Sequence, residues 1–280
     1  MLNARRIVVH IVAIGILGCV YLAMPAAAVE FSATEGSARG YPAMRSQDGK
    51  KIADGDFAQW LDGGRLHVKI VYTSADGRRI EEQAVFRQRP ELIQETWSWR
   101  ELREGKLLRQ FDVNLGSGRA VAKKRDAEET EEWSEELDVE PGRTFAGFGF
   151  TLALKGLRTR LIRGEHVELR AVGFTPKPKA VDVDVSFAGV DRMSMSGRVI
   201  TGDRFVIHAK IPWLADLFVD VPDTHIWLTR PTPASFLRWE GPLAEPSDQP
   251  IRVDLLPGGP SGPATPVKRP PQTTTSSSRR

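Results

Sequence analysis

From about residue 60 to residue 210, apolar side chains recur at every second position, and that period leaves few folds open to the chain. Leu66, Val68, Ile70 and Tyr72 share one parity, while His67, Lys69 and Val71 share the other. Successive side chains of a strand point to opposite faces, so the pattern describes ribbon with one buried face. Ala75-Asp76-Gly77 follows, with a glycine able to take the positive φ of a tight turn, and Ile80 to Phe86 runs back as the second arm of a hairpin. Ile93, Glu95, Trp97 and Trp99 keep the period. After Glu104-Gly105 come Leu107, Arg109, Phe111, Val113 and Leu115, stopped by Gly116-Ser117-Gly118, and Trp133, Glu135, Leu137 and Val139 carry the alternation on. A meander of about five antiparallel strands is expected.

The period changes between Phe145 and Arg163, where Phe150, Leu154, Leu157 and Leu161 fall at helical spacing among cations. This predicts one amphipathic helix, despite Gly156, whose apolar side must lie against the sheet. Strand periodicity returns with Val167, Leu169 and Ala171, then Val181 to Phe187, Met193 and Met195, and Phe205 to Ile211. Trp213, Trp227, Phe236 and Trp239 close the pattern among Pro212, Pro222, Pro231, Pro233 and Pro242, which suit edge strands and turns. The expected fold is mostly β: a curved antiparallel sheet or half-barrel with one amphipathic helix packed on its concave side. It should occupy residues 55–256 as one domain, after a partly irregular segment over 29–54.

The two ends have different chemistry. Arg5-Arg6, the apolar stretch Ile7 to Met24, and Ala26 and Ala28 in an A-x-A arrangement form the three parts of a secretory signal over residues 1–28. The stretch is also close to the 17–25 apolar residues that cross a bilayer, so a retained N-terminal anchor is the alternative. Cys19 is the only cysteine, in Ile16-Leu17-Gly18-Cys19, which faintly resembles a lipidation site; the apolar residues from Val20 to Met24 favour an ordinary place in the signal core. If Cys19 leaves with the signal, disulfides and thiol catalysis leave with it. Residues 257–280 consist almost wholly of Pro, Gly, Ser, Thr and four cations, a composition expected to stay disordered. The whole chain has 39 basic and 36 acidic side chains, yet Arg5, Arg6, Lys268, Arg269, Arg279 and Arg280 all lie in the ends, leaving a near-neutral body. The basic balance is therefore no argument for a nucleic-acid partner, and none is expected.

An exported chain with a curved meander, a helix midway at Phe150 to Leu161, a Gly164-Glu165 turn, further strands, and a closing pair around His225–Thr229 and Ser235–Glu240 resembles the half-barrel domains of unknown function of bacterial envelopes. Those domains are similar in architecture to lipoprotein-carrier proteins. The resemblance covers roughly residues 55–256 and implies a periplasmic or envelope role with an apolar ligand between sheet and helix. It supplies no catalytic residue.

The residues themselves offer little catalytic machinery. His67, His166, His208 and His225 stand apart, without the close pairing that puts two imidazoles on one metal. Asp126 to Glu136 holds seven carboxylates beside Trp133 but lacks the Asp/Asn/Gly spacing of a calcium loop, and suits a solvated acidic hairpin. G-x-S-x-G and the phosphate-loop pattern are absent. No metal, cofactor or catalytic residue is expected. Trp97 and Trp99 share one strand face, and with Phe148, Phe150, Leu154 and Leu157 they are the candidate lining of an apolar site. A lipid, an acyl chain or a lipoprotein is the expected partner. The alternatives are an assembly protein that binds another envelope protein through an exposed aromatic face, and a hydrolase using carboxylates brought together by folding.

Overall fold

The computed structural model describes residues 29, 34–126, 129–195, 197–210, 221–230 and 232–256. The signal, Cys19, Trp213 and the tail from Pro257 lie outside them. The chain forms β1 (Ala38–Ser46), β2 (Lys51–Asp62), β3 (Arg65–Ser74), β4 (Arg78–Arg87), β5 (Ile93–Arg103), β6 (Lys106–Asn114), β7 (Arg119–Asp126) and β8 (Glu129–Glu136). The short β9 (Thr144–Phe145) leads into helix α1 (Gly149–Ile162), followed by β10 (Val167–Phe174), β11 (Pro178–Met195), β12 (Arg198–Ala209), β13 (Thr224–Thr229), β14 (Phe236–Pro242) and β15 (Pro250–Leu256).

All of these strands belong to one curved, unclosed sheet, ordered β8-β7-β6-β5-β4-β3-β2-β1-β15-β14-β13-β12-β11-β10-β9. Every neighbouring pair is antiparallel except β9 and β10. The fold is thus two meanders joined by β1 and β15, which pair from Tyr41↔Leu256 to Ser46↔Ile251. The sheet therefore begins at Ala38, inside the segment expected to be partly irregular. Its two edges, β8 and β9, are consecutive in sequence and are not hydrogen-bonded to each other, so the sheet does not close. Edge strand β8 carries Glu129, Glu131, Glu132, Glu135 and Glu136, and Lys123 on β7 pairs with Glu132 at 2.9 Å. Such a charged edge deters pairing with another strand. The acidic run is a hairpin arm here, and the strand expected to reach Val139 ends at Glu136.

The concave face carries the core. Phe174, at the end of β10, stacks on Phe111 with ring centroids 4.4 Å apart and on Trp97 at 5.8 Å, and Phe111 stacks on Trp99 at 5.4 Å. This aromatic series joins the two meanders across the interior. Leu152, Leu154, Leu157 and Leu161 of α1 are all but fully buried, each adding roughly 1.5–3 kcal/mol by leaving water.

The helix is fixed by polar groups of the sheet. Its first turn has no acidic residue and no side-chain cap of its own. Instead the Glu82 carboxylate of β4 accepts the Phe148 N–H at 2.7 Å, placing negative charge at the positive end of the helix. The buried Gln94 amide clamps the residue two positions earlier: Nε2 donates to the Ala146 carbonyl at 3.1 Å, and Oε1 accepts the Ala146 N–H at 2.8 Å. Farther along, Arg158 holds the buried Asp203 of β12 at 2.6 Å.

Candidate functional site

Helix and sheet do not fill the space between them. A cavity of about 500 Å³ remains, within the roughly 300–1,000 Å³ usual for ligand sites. Ile70, Trp97 and Trp99 line it from the first meander, Val183 and Ile207 from the second, and Phe148 and Phe150 from the start of the helix. Ala38, Arg39 and Ser235 are lining residues that are also exposed, so they mark where it reaches solvent.

Strand parity explains the wall. Trp97 and Trp99 lie opposite Ala84 and Glu82 of β4, so all four face inward. Of the residues expected to line an apolar site, Trp97, Trp99, Phe148 and Phe150 do line the cavity. Leu154 and Leu157 do not: they are 0% and 1% exposed and packed in the core, because they lie on a different face of the helix from Thr151 and Lys155, which line the cavity.

Glu82 and Tyr72 bring polar groups into the wall beside the tryptophans. Glu82 Oε1 accepts both the Trp97 indole N–H, at 2.8 Å, and the Phe148 N–H. Burial raises the Glu82 pKa above its ordinary value, against the pull of those two donors. Tyr72, on the neighbouring strand, has its phenol pKa raised by burial and further by the Glu82 charge. Sequence reasoning passed over Glu82 as an ordinary strand residue. Its signal was parity, because Ile80, Ala84 and Phe86 place Glu82 on the buried face.

One end of the cavity carries a strap formed by residues 34–37. The Gln88 amide accepts the Glu35 N–H at 2.7 Å and donates to the Glu35 carbonyl at 3.0 Å, while Gln59 donates to the Gly36 carbonyl at 2.7 Å. Lys155 of the helix pairs with the Glu35 carboxylate at 2.8 Å. At the other end, Arg109 of β6 bonds Glu101 of β5 at 2.7 Å and both Glu245 and Asp248 of the β14–β15 connection at 2.9 Å. Burial opposes the Arg109 charge, but the carboxylates of Glu101 and Asp248 outweigh it and hold the guanidinium pKa above its usual range. These carboxylates are occupied by cations. Among the described residues no cluster of His, Cys, Asp or Glu has the form of a metal site, and no helix is long and apolar enough to cross a membrane.

Fold and site together define an unclosed, barrel-like sheet enclosing an apolar cavity, with one helix set into its concave side. No protein-family model matches the sequence, and neither does any curated protein. Among solved structures, the chain is similar to a β-barrel-like protein of the domain of unknown function DUF1849 from Brucella abortus, with 10% identity and a TM-score of 0.47 over 79% of this chain and 96% of that one. It is also similar to the hypothetical lipoprotein YmcC from Escherichia coli, with 10% identity and a TM-score of 0.32 over 80% of this chain and 86% of that one.

Proposed function

We propose that the protein binds an apolar or lipid-like molecule in this cavity without transforming it, and that it does so in the bacterial envelope. The observation that carries the reading is the unfilled space itself. Interiors pack to nearly crystalline density, so a space of about 500 Å³ walled by Ile70, Trp97, Trp99, Phe148 and Phe150 is a standing loss of contacts that an apolar guest restores. The Gln88 and Gln94 clamps spend buried amides on holding the strap and the helix start where they frame that space, and support the same reading. The envelope setting rests on the signal-like composition of residues 1–28.

The test is native mass spectrometry of the exported protein before and after delipidation. The expected result is a copurifying amphiphile in the first spectrum and the uptake of one added lipid in the second. A bare protein that takes up no acyl lipid contradicts the proposal and turns attention to a protein partner.

A further inference from the structure

The apolar wall is broken at mid-depth. At roughly 3.3 Å per strand residue, Glu82 lies about 13 Å along β4 from Arg78, at the ion-paired end, and about 20 Å from Gln88, at the strap. Only one of its oxygens is used by the fold: Oε1 takes the Trp97 and Phe148 donors, while Oε2 has no hydrogen-bond partner among the described residues, and neither has the Tyr72 hydroxyl. Both residues line the cavity.

On the reading that this cavity holds an apolar guest, we infer that the guest carries a neutral carbonyl, of an ester or amide, seated against Glu82 and Tyr72, and that a free fatty acid is a poor guest. The other charged lining groups explain the choice. Lys155 is paired with Glu35, Glu245 is held by Arg109 and Lys124, and Arg39 stands exposed at the opening, so among the described residues no cation of the wall is left to pair with Glu82. A fatty acid has one polar end. Placed at depth, its carboxylate lies beside a second carboxyl group in a poorly solvated site, where two negative charges are not tolerated. Placed near Arg39, it leaves Glu82 and Tyr72 facing methylene groups with their hydrogen-bonding capacity unmet. An ester or amide carbonyl accepts from the Tyr72 O–H and sets no second charge beside Glu82. An alkylammonium group has no lone pair to accept the Tyr72 O–H and leaves that donor unmet.

The experiment is displacement of an apolar fluorescent probe from the delipidated full chain at pH 8 by monoolein, oleate and oleylamine, each below its aggregation threshold. Wild-type protein should bind monoolein about tenfold or more tightly than oleate, the size of one well-made polar contact. Glu82→Gln keeps an acceptor for Trp97 and Phe148 and removes the charge, so oleate should gain at least about fivefold while monoolein stays within about threefold. Tyr72→Phe should weaken monoolein several-fold and leave oleate unchanged, and it serves alone if circular dichroism shows Glu82→Gln unfolded. Equal or tighter binding of oleate or oleylamine, or variants that leave the ratios untouched, overturns the carbonyl assignment while leaving a ligand cavity in place. If the probe itself does not bind, the ligand-binding reading fails, and this inference with it.

Discussion

Glu82 is costly where it stands. Its folded-state pKa lies above the ordinary value of 4.5, so the native state holds a proton that the unfolded chain releases. Stability is then full below pH 4.5 and falls as pH rises from there through the raised folded value. Urea titrations of wild type and Glu82→Gln from pH 4 to pH 9 should show this component in wild type and its loss in the variant; parallel curves would mean that the carboxyl is solvated. Gly147 is tied to the same carboxylate. It has φ of +49°, and an added Cβ would overlap Glu82 Oε1 and Trp97 Nε1. Gly147→Ala should cost at least about 2 kcal/mol in chemical denaturation, combining left-handed strain with the displaced helix cap. Parity alone reveals Glu82 as inward-facing. Its bond to the Phe148 N–H depends on contact between residues 66 positions apart, and no local pattern encodes that.

At the scale of elements, the helix does two jobs with two faces of its length. Phe148 and Phe150, at its start, meet the cavity, while Leu154 and Leu157 pack solidly. Leu157→Ala should therefore cost about 2–5 kcal/mol of stability with little change in ligand affinity. Phe148→Ala should reverse that balance, losing less stability and more of the binding of an apolar probe, and equal effects on both quantities would erase the division. The helix was legible because Phe150, Leu154, Leu157 and Leu161 repeat at 3.6-residue spacing, and the hairpin turns because Gly77 and Gly105 take positive φ. Strand β1 was hidden. Its sequence Ala-Arg-Gly-Tyr-Pro-Ala-Met-Arg-Ser lacks strict alternation and places Pro42 in a central strand, where a ladder donor is lost. The fold accommodates Pro42 by interrupting the β1–β2 ladder between Gly40↔Phe57 and Ala43↔Asp54 while keeping its register, and Gly55 leaves room for its ring.

Across the whole molecule, two meanders are held as one body by the β1–β15 pairing, by the Trp97, Phe174, Phe111 and Trp99 series, and by Arg109, which reaches from β6 to Glu245 and Asp248 more than 130 residues away. Arg109→Leu should cost about 1–3 kcal/mol in urea denaturation, because the buried Glu101 and Glu245 would each keep only one cation, Arg78 and Lys124. A change under 1 kcal/mol would show that solvent reaches that end of the barrel freely. Alternation in the sequence specified a curved sheet, yet whether its interior is filled or hollow depends on side-chain volumes summed over strands distant in sequence. The central claim is that an apolar guest occupies this hollow, and tryptophan quenching tests it directly. Of the seven tryptophans, Trp97, Trp99 and Trp239 line the cavity, whereas Trp60 is exposed on β2 and Trp227 belongs to a separate cluster with Met193 and Met195. Titration with a bromine-labelled acyl glycerol should quench wild-type fluorescence to saturation at one equivalent, and largely fail to quench a folded Trp97→Phe, Trp99→Phe, Trp239→Phe variant. Unsaturable quenching, or equal quenching of both proteins, would place the lipid elsewhere and contradict the account.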